Sequence, residues 1–421
     1  MVVKYNRLVW KLREQIHEFS GKLSPHFSVP KRRFVEEMIY GIQAKQDVKL
    51  SQIARSLEED IPLRKTENRL SRNLDAEGMD GVLVDSLIKL GSHGVHRDTL
   101  LILDISDVSK RYAKRMEYLG RVRDGSSGEL SDGYWTCAVM GCEAGKERVV
   151  PLYHALYSAK APGFESENTE IVKAVDAVGT HCGDRGVWVL DRGGDRGRLL
   201  HQFIERGLGF IIRLKGDRHL VYRGKRYRAA ELAARCPTYY AEAVVRMIEG
   251  QEVVCTVEYG YRQVKLPGRA GQFYLVVVKG FGQQPMMLLT NLVCRKKRKV
   301  LWGVVHSYLT RWRIEEAIRF IKQSYNLEDI RVLTYRRLKN LVALVLAASY
   351  FAAVYLGQAL RLSILTRKVL KVAKRFFGIP PFAYYALADG IATILSHCTV
   401  GPIGAHNQPV RGSPQLRLFE A

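Results

Sequence analysis

Two aspartates in this chain close short apolar runs, and a glutamate sits in a helix-like stretch far downstream. Asp104 ends "LLILD" (100–104), Asp191 ends "VWVLD" (187–191), and Glu315 lies within "YLTRWRIEEAIRFIKQ" (308–323). Carboxylates at strand ends of a mixed α/β core face open, ligand-accessible space. Two of them, joined by a third from a helix, could hold two hard divalent cations, because Mg²⁺ takes oxygen ligands and keeps several waters. Two such ions about 4 Å apart activate an attacking oxygen and stabilise the leaving oxygen of a phosphodiester. Taken singly, each aspartate reads more readily as a cap or turn residue, and the spacing alone is weak evidence for a metal site.

The 308–323 stretch adds a second pattern. Tyr308, Arg311, Glu315 and Lys322 are three, four and seven residues apart. At about 100° per residue they fall within an arc of about 60° on one helix, while Ile314, Ala317, Ile318 and Ile321 gather on another face. A solvated face laced with i,i+4 ion pairs would produce the same stripe. Asp107 and Glu316 are the neighbours that could replace Asp104 and Glu315. Asp104 is preferred because it ends the apolar run, and Glu316 is turned about 100° around the helix from Glu315, toward ion pairing or solvent.

Composition narrows the partners. The 421 residues imply two or three domains, and 47% hydrophobic content supports a packed core. The net charge is +24, with 66 Lys+Arg against 42 Asp+Glu, which points to nucleic acid or an anionic membrane. Residues 295–375 hold 19 Lys/Arg against 4 Asp/Glu, so the excess is concentrated around the striped helix. Seven cysteines without a C-x-x-C pair argue against a zinc site or disulfide framework and suit a reducing cytoplasm. The N-terminus has charges scattered through it and no continuous apolar core, unlike a signal peptide. "LVALVLAASYFAAVYLGQAL" (341–360) is long and apolar enough to span a bilayer, but the reading preferred is a helix buried on all sides.

The elements that must position these residues change character along the chain. Residues 1 to about 95 read as helical. Within them, 50–74 suggest either a helix-turn-helix whose basic second piece (Arg64, Lys65, Arg69, Arg72) meets DNA or a plain helical hairpin. From 99 onward the predicted order is three strands, a helix capped by Asn168 or Thr169, a strand, a helix ended by Gly207, and the strand "GFIIRLK" (209–215). A meander of the first three strands and crossovers for the rest would build one sheet. Residues 216–295 are β-rich with one short helical piece near 229–234. Helices resume from 301, and one of them carries Arg367, Lys368, Lys371 and Lys374 on a shared face. "CRKKRKV" (294–300) reads as phosphate contact or as a solvated strand end.

Asp104 after a strand, "DRGGD" (191–195) after a later one, a β-rich insertion and then Y-x2-R-x3-E-x6-K together resemble the cut-and-paste DDE transposases of bacterial insertion-sequence family 4. The resemblance covers about residues 35–360. It implies an α/β fold: an RNase H-like catalytic core, a mixed sheet with flanking helices, interrupted by a β-rich insertion. The implied divisions are a helical DNA-binding region (1–97), the core (98–215), the insertion (216–298), the core resumed with its Glu helix (299–360) and a basic helical region (361–421). It further implies that Asp104, Asp191 and Glu315 bind two Mg²⁺ ions, with Mn²⁺ as a substitute. Tyr308, Arg311 and Lys322 would contact DNA near the cleaved end, with Arg192, Arg213 and Lys215 as further contacts. Trp312 would pack near that end or form a half-buried core aromatic. The implied partners are double-stranded DNA, as terminal inverted repeats and target, and a second copy of the chain on paired ends; no membrane is involved, and the location is the cytoplasm, at the nucleoid. Other readings are a DNA-binding derivative that has lost catalysis, a structure-specific nuclease with the same core, and a single-span membrane protein.

Overall fold

The computed structural model describes residues 5–397 apart from 126–127, 147, 249–250, 358–359 and 374–382. Five helices open the chain: α1 (Tyr5–Leu23), α2 (Val29–Lys45), α3 (Leu50–Ser56), α4 (Leu63–Asn73) and α5 (Met79–Ser92). Four strands follow: β1 (Leu100–Ser109), β2 (Gly120–Arg123), β3 (Leu130–Cys142) and β4 (Val149–Tyr157). Then come α6 (Glu167–Cys182), β5 (Val187–Leu190), α7 (Gly197–Glu205) and β6 (Gly209–Arg213). The cap of α6 is Ser166, which accepts from the Thr169 amide, rather than Asn168 or Thr169.

The sheet is mixed. β1, β5 and β6 run parallel, and β3 lies antiparallel along the full length of β1, from Leu100 opposite Cys142 to Ser109 opposite Gly133. β2 and β4 share the other edge of β3. The crossovers carry α6 and α7, as a parallel arrangement requires.

The β-rich stretch contains a separate hairpin, β7 (His219–Tyr222) and β8 (Lys225–Arg228), then α8 (Ala229–Ala234). After it run β9 (Tyr240–Ile248), β10 (Gln251–Val264), β11 (Phe273–Lys279) and β12 (Met286–Thr290). This stretch is not a separate sheet. β12 pairs antiparallel with β6, Ile212 opposite Leu289, so one ten-stranded sheet runs β2-β3-β1-β5-β6-β12-β11-β10-β9, with β4 beside β3.

Helices α9 (Arg298–Thr310), α10 (Trp312–Ser324), α11 (Tyr335–Ala353), α12 (Leu360–Val372) and α13 (Tyr384–Leu395) complete the fold. The apolar segment falls in α11. The helix Tyr335–Gly357 is long and apolar enough to cross a membrane, and 89% of its apolar window is buried inside the fold. Leu341, Leu344, Val345, Leu346 and Phe351 are fully enclosed, each contributing about 1.5–3 kcal/mol of burial. α11 packs on β4, α5 and α2, so the N-terminal helices are built onto the core. Gln43 donates to the Ala348 carbonyl at 2.6 Å, and Asn340 donates to the carbonyls of Leu74 and Ala76.

Candidate active site

The parallel pairing of β1 and β5 ends at Ile102 opposite Val189. Asp104 and Asp191 each lie two residues further on, where the two strands part. Asp191 does close its strand. Its carboxylate accepts from the Gly193 amide at 2.7 Å and caps a 3-10 turn, Arg192–Gly194. That turn is tight against β5: a Cβ on Gly194 would stand 2.5 Å from Leu190 Cβ, so a side chain there would force the turn away. Asp104 differs from expectation. It sits mid-strand, because β1 continues to Ser109 on the ladder of β3, and the apolar run ends before the strand does.

The third carboxylate arrives from the helical layer. The striped segment is two helices rather than one, divided at Arg311, whose backbone stays helical (φ −52°, ψ −31°). Tyr308 lies in the last turn of α9, Glu315 in the first turn of α10 and Lys322 in its last. Arg311 is buried, and its Nη2 donates to Glu315 Oε1 at 2.9 Å. Tyr308 is buried with no partner for its hydroxyl among the described residues, and its ring centroid is 5.8 Å from the Arg311 guanidinium carbon. A buried phenol supporting a guanidinium differs from the expected exposed contact. Glu315 keeps 49% of its side chain exposed.

Electrostatics tie these groups into one site. Burial pushes the Asp104 carboxyl up to about 7; Arg311 works against that shift, and the charges of Asp191 and Glu315 add to it. Arg311 is raised in turn: burial opposes its charge, but Tyr308, Asp104, Glu315 and Asp191 outweigh it. Three carboxylates separated by more than 200 residues of chain therefore share one field, with a buried guanidinium among them. Among the described residues no three His, Cys, Asp or Glu side chains are drawn together closely enough to ligate one ion.

The remaining sequence-derived residues are distributed around this centre. Arg192 is exposed in the turn after Asp191, Arg213 is half-buried at the end of β6, and Lys215 is exposed just beyond it. Trp312 opens α10, but its side chain lies outside the described residues. Lys322 Nζ reaches Asp107 at 3.5 Å and Glu328 at 3.7 Å. Asp107 is thus an internal partner for Lys322, and Glu316 pairs with Arg319. Asp195 is buried against Arg218 and the Lys215 amide.

Of the peripheral basic groups, Arg69 is engaged by Glu37 and Glu59, leaving Arg64, Lys65 and Arg72 exposed on α4. In the 294–300 run, Arg298 is bound by Glu242. Arg367, Lys368 and Lys371 are exposed on α12, and Lys374 is outside the described residues.

One residue escaped the sequence reading altogether. His154 on β4 lies in register with Ala138 and through it with Asp104; it is buried, and its Nδ1 has no hydrogen-bond partner among the described residues. Burial, helped by the Lys322 charge, lowers it to about 4 and keeps it neutral. Its signal was faint, a single histidine inside "PLYHALY".

No protein-family model and no curated protein matches the sequence. Among solved structures the chain is similar to a piggyBac transposase in a synaptic complex with hairpin DNA, determined by cryo-EM. The identity is 10%, the match covers 97% of this chain and 81% of that one, and the TM-score is 0.48. At that distance no role is transferred from one chain to the other.

Proposed function

We propose that this protein is a DNA transposase of the DDE type, which cuts the ends of a mobile element and joins them to target DNA. The observation that carries this reading is the shared field of Asp104, Asp191 and Glu315 where β1 and β5 diverge, with Arg311 among them. In this reading the sheet and its helices are an RNase H-like core that β9–β12 extend.

The donor types suit hard cations, and the three carboxylates, which stand apart in this structure, would have to draw together to share one. The set offers carboxylate oxygens without thiol or imidazole, the preference of Mg²⁺. Asp104, Asp191 and Glu315 would hold the ions, which when bound supply Lewis-acid stabilisation of charge at the attacking and leaving oxygens of a phosphodiester. The chain's own residues do the rest. Asp104 must release its proton before it can serve as a ligand, so the site is readied as pH rises toward neutrality. Arg311 holds Glu315 at the rim and lowers the cost of keeping three carboxylates together. Lys322 ties α10 to β1 through Asp107, while Arg192, Arg213 and Lys215 offer positive charge toward a strand at the centre. Tyr308 supports Arg311 from beneath. The substrate would be the element's terminal inverted repeats, paired by two copies of the chain, with target DNA as acceptor.

The test is cleavage of a labelled element end with Mg²⁺, followed by capture of the cut end by a second DNA. Wild type is expected to do both, and Asp104→Ala, Asp191→Ala and Glu315→Ala to bind DNA without cutting it. Cleavage that persists in all three variants would refute the site. Cleavage without strand transfer would identify a nuclease instead.

A further inference from the structure

The segment after β1 leads away from the carboxylates and into a cleft of about 740 Å³. One wall is the 110–119 loop, which carries Lys110, Arg111, Lys114 and Arg115 within six positions. The other wall is the 328–333 segment with Arg331. The two walls are fastened together: Lys110 is buried, and its ammonium donates to the Glu328 carbonyl and, at 3.1 Å, to that of Ile330. The cleft is therefore held open by the fold rather than formed by its ligand.

Its cations outnumber its carboxylates. Asp124 accepts from Arg111 on the cleft wall at 2.9 Å, Asp329 accepts from Lys49 outside it at 2.5 Å, and Glu328 lies 3.7 Å from Lys322. Lys114, Arg115 and Arg331 are exposed, and among the described residues no ion pair engages Lys114 or Arg115. At the rim stands Tyr112, 95% exposed, an aromatic ring that the fold does not bury. The cleft also adjoins the candidate active site, because Lys322 touches both Asp107 on β1 and Glu328 on the cleft wall.

We infer that this cleft is a subsite for one strand of DNA running on from the scissile phosphate, with Lys114, Arg115 and Arg331 on its phosphates and Tyr112 stacked on an unpaired base. The inference rests on the transposase reading and adds the form of substrate that the centre accepts. A cleft of about 740 Å³ has room for one or two nucleotides. Basic groups interleaved with an exposed aromatic are how single strands are held without regard to sequence.

Fluorescence anisotropy on the full chain in metal-free buffer tests it, using equally long labelled DNAs that are blunt or carry a short 3′ or 5′ single-stranded overhang. One overhang polarity is expected to bind roughly 5- to 100-fold more tightly than blunt DNA. Tyr112→Ala, and separately the pair Lys114→Ala with Arg115→Ala, should erase that excess while changing blunt-end affinity less than about twofold. Tyr112 is almost wholly exposed, so its variant should fold, and an unchanged melting temperature checks this. Equal wild-type binding to blunt and overhang DNA, or an overhang excess that survives both variants, overturns the subsite but leaves the transposase reading standing. An equal loss on all probes also overturns it, by reducing the cleft to a general phosphate contact. Failure of wild type to bind any of the DNAs would bring down the transposase reading and the subsite with it.

Discussion

Asp104 keeps its proton at a pH where an ordinary aspartate has lost it. Its carboxyl titrates at about 7 in the folded chain against 3.8 when free, because burial penalises the charge and Asp191 and Glu315 add to the penalty. Between those values the folded state binds a proton that the unfolded state releases, so this group subtracts stability as pH rises from about 4 to 7. Asp104→Asn removes that cost. In metal-free buffer its melting temperature should exceed that of wild type at pH 8, and the gap should close near pH 4. Adding Mg²⁺ at pH 8 should raise wild type and leave the variant unmoved. Parallel melting curves across this range would show that the carboxyl is not held protonated. Arg311 acts with the opposite sign. Arg311→Gln removes the cation that restrains Asp104, so the Asp104 penalty should still begin near pH 4 but keep growing above pH 7 instead of levelling there, read in the same melting profile.

At the scale of elements, the sequence was most legible where periodicity and position agree. The alternating and apolar runs marked every strand of the main sheet except the short β2, and the 229–234 helix was found at its observed bounds. Asp191 was placed correctly because its strand, its apolar run and its turn all stop together. Asp104 was placed a little wrongly because the apolar run ends where β1 leaves β5, yet the ladder to β3 continues with polar residues to Ser109. The stripe of Tyr308, Arg311, Glu315 and Lys322 was visible as a spacing, but spacing records direction and not depth. It could not reveal that chain from elsewhere covers Tyr308 and Arg311 while leaving Glu315 open. The union of the β-rich stretch with β6 was equally hidden, since pairing of β12 with a strand some 75 residues earlier leaves no local mark. Asn340 shows what such hidden contacts contribute. It is buried in α11, donates to the carbonyls of Leu74 and Ala76, and accepts from the Asp80 amide. Asn340→Ala would leave these backbone groups without their partner, each at about 1–3 kcal/mol. Chemical denaturation should show a loss of about 3 kcal/mol or more, whereas a loss below about 1 kcal/mol would mean that the N-terminal helices are not anchored through this residue.

At the scale of the whole molecule, the charge of +24 is the feature that composition announced and structure distributed. Some of it is internal. Arg69 neutralises the buried Glu37, Arg218 the buried Asp195, and Arg298 the carboxylate of Glu242. These cations stabilise the fold and are not available to a polyanion. What remains for a duplex is exposed on α4, around Arg192 and Lys215, and on α12. A surface of this kind binds DNA chiefly by releasing counterions, so affinity should fall steeply with salt, each neutralised phosphate contributing a slope of about −0.9 in log K against log salt. If the exposed groups act together, the wild-type slope on duplex DNA should be about −5 or steeper. Charge removal then separates the two populations of cation. Replacing Arg192 and Lys215 by alanine should make the slope shallower by about 2 with the melting temperature unchanged. Replacing Arg69 and Arg218 should do the reverse, lowering the melting temperature while the slope stays within about 0.5 of wild type. A slope that responds to Arg69 and Arg218, and not to Arg192 and Lys215, would place the DNA on a different face from the carboxylates, and the site could then no longer be the one that cuts it.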